Sequence, residues 1–190
     1  MKILIFIPHM GLGGVERSFI NLSKEFRRGG HNVKFVSLND IKSTYNEDIK
    51  HIKLNSKRTV FSINKLSKIF NYESPDLIIS AQYYANIIAV ISNKISKNKA
   101  KIIISERNHL SSELKKLNYF KRLIISSLVK FFYRKADLIY GNSDEVCNDL
   151  KKNFNLKIKI KKILNPSFTE NIDRSVSYTH LRAHETETNL

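Results

Sequence analysis

At 190 residues and 42% hydrophobic content, the chain has enough sequence for one well-buried domain and is short for two. Its single cysteine, Cys147, excludes an internal disulfide and makes a cytoplasmic location the expectation, while no apolar run reaches the ~20 residues of a bilayer-spanning helix. Lys plus Arg total 33 against 17 for Asp plus Glu, a net charge of +16 that draws a chain toward phosphate, nucleic acid or anionic lipid; the general abundance of Lys, Ile and Asn accounts for such a charge equally well without a partner.

Lys2–Pro8 is an unbroken apolar run and predicts a buried strand, too short and too strand-like for a signal peptide. Gly11-Leu-Gly13-Gly14 then opens a helix on which Val15, Phe19, Leu22 and Phe26 recur at helical spacing, and Gly29-Gly30 stops it. Backbone N–H groups at a helix start, beyond the carboxyl end of a buried strand, favour negative charge and phosphate above all. The spacing is not a dinucleotide fingerprint, because position 16 is Glu16, and it is not a P-loop, because no Gly-Lys-Ser/Thr follows. A tight strand-to-helix turn without ligand is the competing reading.

Val33–Leu38 predicts a second strand and Asp48–Leu54 a weaker third. Ile63, Leu66, Ile69 and Phe70 mark a helix ending before Pro75. Asp76–Ser80 predicts a strand, Tyr83–Lys97 a helix, Lys101–Ser105 a strand, and Ser112–Lys135 one long helical region. Ala136–Gly141 is a strand, Ser143 caps a helix running to about Asn153, and Lys159–Leu164 is the last strand. Cys147, among polar neighbours in that helix, reads as a structural thiol rather than a nucleophile.

Short Ile- and Val-rich strands alternating with helices predict an α/β fold. It is a Rossmann-like, doubly wound parallel sheet of about seven strands with helices on both faces. Ligands of such sheets bind beyond the carboxyl ends of the strands, which places His9–Gly14, Ala81–Tyr84, Glu106–His109 and Asn142–Asp144 on one rim.

This domain is expected over residues 1–168, with 169–190 a linker start and an atypical tail. From Ser175 to Leu190 there is no lysine and no apolar periodicity, while Thr, His and Glu crowd in, so the segment reads as disordered or foreign to the fold. His180 and His184 have helix-face metal spacing but lack the Glu of H-E-x-x-H and a third ligand, so no metal is expected.

Taken together, the rim motifs resemble glycosyltransferase family four. Gly13-Gly14-Val-Glu16-Arg17, Asn21-Leu22 and Gly30-His31-Asn-Val33 are similar to that family's opening. Pro75-Asp76-Leu-Ile-Ile79, Ile104-Ser-Glu106-Arg107-Asn108, Ala136-Asp137-Leu-Ile139, Asn142-Ser143 and Ile163-Leu-Asn165-Pro166 follow in its order, so that the resemblance covers about Lys2 to Phe168. It implies one half of a GT-B architecture, the half that mainly holds the acceptor. The complete enzyme would transfer a sugar from a nucleotide-sugar with retention of configuration, with no cofactor and usually no metal. The donor-site signature Glu-x7-Glu is absent, since no two glutamates stand eight positions apart, so this half is expected to be inactive without a donor domain.

The resemblance assigns Gly13 and Gly14 to the donor's pyrophosphate, in agreement with the helix-start argument. Glu16 reads as a first-turn charge that suits the helix dipole. Arg107 is a phosphate partner and Asn108 a sugar-hydroxyl partner, while His109 stands one or two residues from where relatives carry a histidine. An ion pair of Glu106 with Arg107 or a lysine, merely stabilising a loop, is the alternative. Gln82 and Tyr83 suit sugar recognition by hydrogen bonding and stacking, or simply a packed helix start.

Leu114–Lys135 carries Lys115, Lys116, Lys121, Arg122, Lys130, Arg134 and Lys135 and no acidic residue, with Leu117, Phe120, Ile124, Leu128 and Phe131 as an apolar stripe. Basic amphipathic helices lie in anionic membrane interfaces, and Lys121, Arg122, Lys130 and Arg134 are the candidate contacts; a core helix with a solvated basic face has the same pattern. Membrane contact would suit a lipid-linked acceptor, polysaccharide biosynthesis and a peripheral position on the inner face of the plasma membrane. Two other classes compete: another GT-B-like enzyme such as a nucleotide-sugar epimerase, and a non-catalytic membrane-docking module. Nucleic acid is not expected, because the cations concentrate on one helix instead of alternating with aromatics across a sheet face.

Overall fold

The computed structural model describes residues 1–11, 13–38 and 49–164, so the expectations for the tail, including His180 and His184, lie outside the described residues. Seven strands form one parallel sheet: β1 (Lys2–Phe6), β2 (Asn32–Ser37), β3 (His51–Lys53), β4 (Leu77–Ala81), β5 (Lys101–Glu106), β6 (Leu138–Gly141) and β7 (Ile160–Lys162). Their order is β3-β2-β1-β4-β5-β6-β7. Between them run α1 (Gly14–Arg28), α2 (Ile63–Glu73, entered through a 3-10 turn at Thr59–Ser62), α3 (Tyr83–Ile95), α4 (Leu110–Lys115), α5 (Tyr119–Tyr133) and α6 (Asp144–Phe154).

The two-residue period of a strand divides the core into two layers. Ile3, Ile5, Val33, Phe35, Ile79 and Tyr140 point to one face, where Phe19 and Ile20 of α1 cover them. Leu4, Phe6, Val36, Ile78, Ile102, Ile104 and Ile139 point to the other, beneath α2, α3, α4, α5 and α6. Each large side chain so buried contributes roughly 1.5–3 kcal/mol, which is why uninterrupted apolar runs settle in the middle of this sheet. Strand order reverses between β1 and β4, and the carboxyl ends of those strands meet the start of α1 there.

Two recurring sequence motifs turn out to be structural. Asp76 accepts the Lys2 amide at 2.7 Å, and Asp137 accepts the Ile102 amide at 2.7 Å. Each Asp thus pins the start of a neighbouring strand, at the edge opposite the rim. Cys147 is buried, with its Sγ against Lys161 O at 3.5 Å, and a Cβ on Gly141 would meet that sulfur at 2.9 Å. The thiol therefore seats α6 on the end of β6.

The helical region expected over Ser112–Lys135 is two helices. Apolar periodicity continues through Leu117, but Asn118 turns its side chain onto the Lys121 amide at 2.9 Å and starts α5 as an N-cap.

Candidate functional site

The first turn of α1 lies past the end of β1. Gly13 is its N-cap in extended conformation, with φ −78° and ψ 166°, and neither Gly13 nor Gly14 has positive φ; among the described glycines only Gly30 does, at φ 78°. Among the described residues a Cβ on Gly14 would have nothing within 4 Å, and the nearest atoms to one on Gly13 are those of the Glu16 carboxyl group. The backbone path does not require glycine here, so what the pair provides is bare amides and room. Glu16 is buried and folds back on Gly13, the place of a capping-box glutamate, which leaves the Gly14 side as the open approach for an anion.

Beyond β4, Gln82 caps α3 with φ 77° and ψ 132°, a region non-glycine residues rarely occupy. The Tyr84 hydroxyl donates to Gln82 Oε1, and the Tyr83 and Tyr84 rings meet edge-on at 5.3 Å. Burial, with Glu113 and Glu106 nearby, raises the Tyr83 phenol above its ordinary range and keeps it a neutral donor. Strain of this kind is of order 1–3 kcal/mol, and the side-chain hydrogen bond offsets about 1 kcal/mol of it. Gln82→Gly removes the strain but also the hydrogen bond and adds entropy to the unfolded chain, so stability is expected to stay unchanged or to rise by up to about 1 kcal/mol, read from the denaturation midpoint. A loss of stability would show that the conformation is unstrained.

β5 separates two neighbours that the sequence leaves adjacent. Glu106 shares the parity of Ile102 and Ile104 and is fully buried under α3 and α5, where its Oε1 accepts from Asn86 Nδ2 at 2.8 Å and from the Tyr133 hydroxyl. Asn86 Oδ1 in turn accepts from Ser80 Oγ at 2.7 Å. Burial raises the Glu106 carboxyl to about 8, against the lowering effect of the bonds from Tyr133 and Asn86. Arg107 points the other way, stacked 4.9 Å from the Phe19 ring centre and 5.8 Å from that of Tyr140, and it donates to Ser18 Oγ and Ser105 Oγ at 3.1 Å each. The loop ion pair of Glu106 with Arg107 or a lysine is thus replaced by a buried, neutral network on one face and a stacked guanidinium on the other.

The ends of α1, β4 and β5 enclose a cavity of about 280 Å³. Four residues anticipated from sequence line it: Gln82, Tyr83, Arg107 and Asn108. Asn108 donates to Glu113 Oε1 at 2.6 Å at its mouth. Tyr84, Glu106, Glu113 and Val15 complete the wall. His109 is not part of it: exposed, it caps α4 and faces the charges of Glu145 and Asp149 on α6. Asn142-Ser143 opens α6 instead, with Ser143 Oγ accepting the Val146 amide, while Asn142 Oδ1 is buried without a partner among the described residues. Among the described residues no group of three His, Cys, Asp or Glu side chains is placed to hold a metal. A larger shallow cavity of about 540 Å³, by Arg134, Asn155 and Lys157, lies away from these strand ends.

Lys121 and Lys130 on α5 and Arg134 at its C-cap are exposed, whereas Arg122 is half-buried and stacks over Tyr119 at 5.6 Å, on the inner side of the helix. Sequence reasoning placed Tyr84 on the rim without a role and passed over Glu113, Asn86 and Tyr133. Of these only Asn86 leaves a trace, as a polar residue inside the apolar run Ala85–Val90.

The α/β domain, with its parallel sheet, open helix start and polar cavity at the carboxyl edge, has the Rossmann-like fold of one half of a GT-B architecture. The profile of Glycosyltransferase Family 4 matches residues 12–167, and the chain belongs to that family. Among solved structures it resembles the apo lipopolysaccharide outer core galactosyltransferase WaaB, at 20% identity and TM-score 0.66 over 87% of this chain and 46% of that one. It is similar to Anabaena Alr3699/HepE in complex with UDP and glucose, at 20% identity and TM-score 0.66 over 95% and 50%. A glycosyltransferase from Rickettsia africae ESF-5 matches at 20% identity and TM-score 0.62 over 94% and 49%. The chain spans about half the length of these structures. No functionally curated protein matches it.

Proposed function

We propose that the chain is the acceptor-side half of a retaining glycosyltransferase that moves a sugar from a nucleotide-sugar to a glycan or lipid-linked acceptor. One observation carries the reading: the cavity lined by Gln82, Tyr83, Arg107 and Asn108 opens beside Val15, in the first turn of the helix whose start is open at Gly14 among the described residues, Glu16 filling the space at Gly13. A sugar hydroxyl in that cavity would face Tyr83 and Asn108, with the positive charge of Arg107 on the same wall to attract a phosphate. As the glycosidic bond to the diphosphate breaks, the leaving oxygens gain charge, and the first-turn amides of α1 at Gly14, already fixed in place, would stabilise it without reorganisation. Retention of configuration is what the family resemblance implies. The donor is held by a second domain, and this half alone binds acceptor without turnover; the absence of a Glu-x7-Glu pair supports this division. UDP-sugars are the first donors to try, because Alr3699/HepE is described with UDP and glucose.

Asn108→Ala in the two-domain enzyme tests the assignment, because the side chain is exposed and its loss leaves the core intact. Acceptor KM is expected to rise about tenfold, one hydrogen bond's worth, while donor KM and donor-only hydrolysis stay unchanged. An unchanged acceptor KM, or a matching rise in donor KM, would remove the cavity from acceptor binding.

A further inference from the structure

α5 has two apolar faces, and the fold uses only one. Val129 and Tyr133 are buried in the core, with Ile125 and Phe132 packed against it. Phe120, Ile124, Leu128 and Phe131, spaced by four, four and three residues, form a second stripe that is 76%, 60%, 37% and 58% exposed, with Leu123 beside it at 47%. The stripe that would otherwise cover the sheet therefore faces outward along most of the helix. Single exposed apolar residues are ordinary, but an aligned row of this size marks a contact surface.

Its charge frame identifies the partner. At about 100° per residue, Lys121 flanks one side of the stripe, and Lys130 and Arg134 the other. Lys135 continues the row, its Nζ 4.6 Å from the centre of the Phe131 ring. Arg122, about 200° round from Ile124, belongs to the inner side. No acidic residue occurs from Leu114 to Lys135. Two copies meeting through this face would set cations against cations. RNA would meet the cations but leave the aliphatic stripe unused. Anionic lipid satisfies both parts, with acyl chains for the stripe and headgroups for the flanking lysines.

We propose that α5 docks the domain on an anionic bilayer, lying in the interface with Phe120, Ile124, Leu128 and Phe131 inserted and Lys121, Lys130, Arg134 and Lys135 at the headgroups. No helix among the described residues is long and apolar enough to cross a membrane, so this contact is peripheral. α4 leads from the mouth of the cavity at Glu113 directly into α5, so docking would hold the cavity near the lipid surface. The inference stands on this surface alone and not on the reading of the cavity.

The chain contains no tryptophan, which allows a direct test. Ile124→Trp places one fluorophore on the stripe, and Tyr72→Trp, at an 88% exposed site on α2, is the control. With phosphatidylglycerol-containing vesicles, Ile124→Trp emission is expected to shift to the blue and Tyr72→Trp emission to stay unchanged. Pure phosphatidylcholine vesicles should bind at least tenfold more weakly. Phe120→Ser/Phe131→Ser and Lys121→Gln/Lys130→Gln/Arg134→Gln should each lower vesicle affinity at least tenfold with circular dichroism unaltered. An unshifted Ile124→Trp emission, or vesicle binding that survives both sets of substitutions, would overturn the proposal. A blue shift that instead follows protein concentration without lipid would assign the face to a second copy, and one that appears only with RNA would assign it to nucleic acid; either would overturn it.

Discussion

Gly14→Leu in the two-domain enzyme is expected to lower kcat by about two to three orders of magnitude while leaving the fold as stable as before, or slightly more so. The two halves of that expectation have separate causes. Nothing lies within 4 Å of the Cβ that the substitution adds, and φ at Gly14 is not positive, so the side chain enters open space without strain. Leucine also loses less backbone entropy than glycine in a helix, a gain of up to about 1 kcal/mol. The same open space is where a leaving diphosphate would approach the first amides of α1. Removing one preorganised donor from developing negative charge typically lowers kcat by about 10²–10³. A variant with kcat near normal would show that the glycine pair is only a tight turn. A variant with lost activity and a lowered melting temperature would say nothing specific about phosphate, which is why both are measured.

The second large effect concerns Glu106 and pH. Its carboxyl is raised from 4.5 to about 8 by burial, so between those values the folded protein holds a proton that the unfolded chain has released. Stability from this group is fully present below pH 4.5 and is lost as pH rises through about 8, a change of order 4 kcal/mol across the window. Glu106→Gln keeps an acceptor for Asn86 Nδ2 and the Tyr133 hydroxyl and cannot ionise. Its melting temperature should therefore vary several degrees less between pH 5 and pH 8 than that of the parent, with the largest difference at the alkaline end. Parallel pH profiles for the two proteins would show that Glu106 is ionised at neutral pH. The expected difference would show that the deepest carboxyl of the cavity wall holds its proton near neutral pH.

What was legible in the sequence follows the strength of local rules. Lys2–Pro8, Asp76–Ser80 and Lys101–Ser105 are apolar runs that no exposed segment tolerates, and their strands form within a residue or two of the expected ends. Gly29-Gly30 ends α1 because Gly30 adopts φ 78° there. The four polar residues at the ends of β4 and β5 were found because the sheet topology alone sends them to one rim. Partners were harder to read. The strand continues one residue further than expected, to Glu106, and that residue's parity sends its carboxyl inward while Arg107 turns to α1. Likewise, helical periodicity reveals an apolar stripe on Leu114–Lys135 without saying which of two stripes meets the core. Only tertiary packing decides that Val129 and Tyr133 go in and Phe120 and Phe131 stay out. The break at Asn118 was missed because one side-chain hydrogen bond ended a pattern that hydrophobicity continued.

The central claim is that the carboxyl edge of this sheet, between α1, β4 and β5, receives the substrates. Amide chemical-shift mapping of the ¹⁵N-labelled two-domain enzyme, titrated with UDP-glucose and then with a candidate glycan acceptor, tests it directly. Gly13, Gly14 and Arg107 are expected to shift with UDP-glucose, and Tyr83 and Asn108 to shift only once the acceptor is added. Shifts confined to the Arg134, Asn155 and Lys157 cavity, or to the edge carrying Asp76 and Asp137, would contradict it.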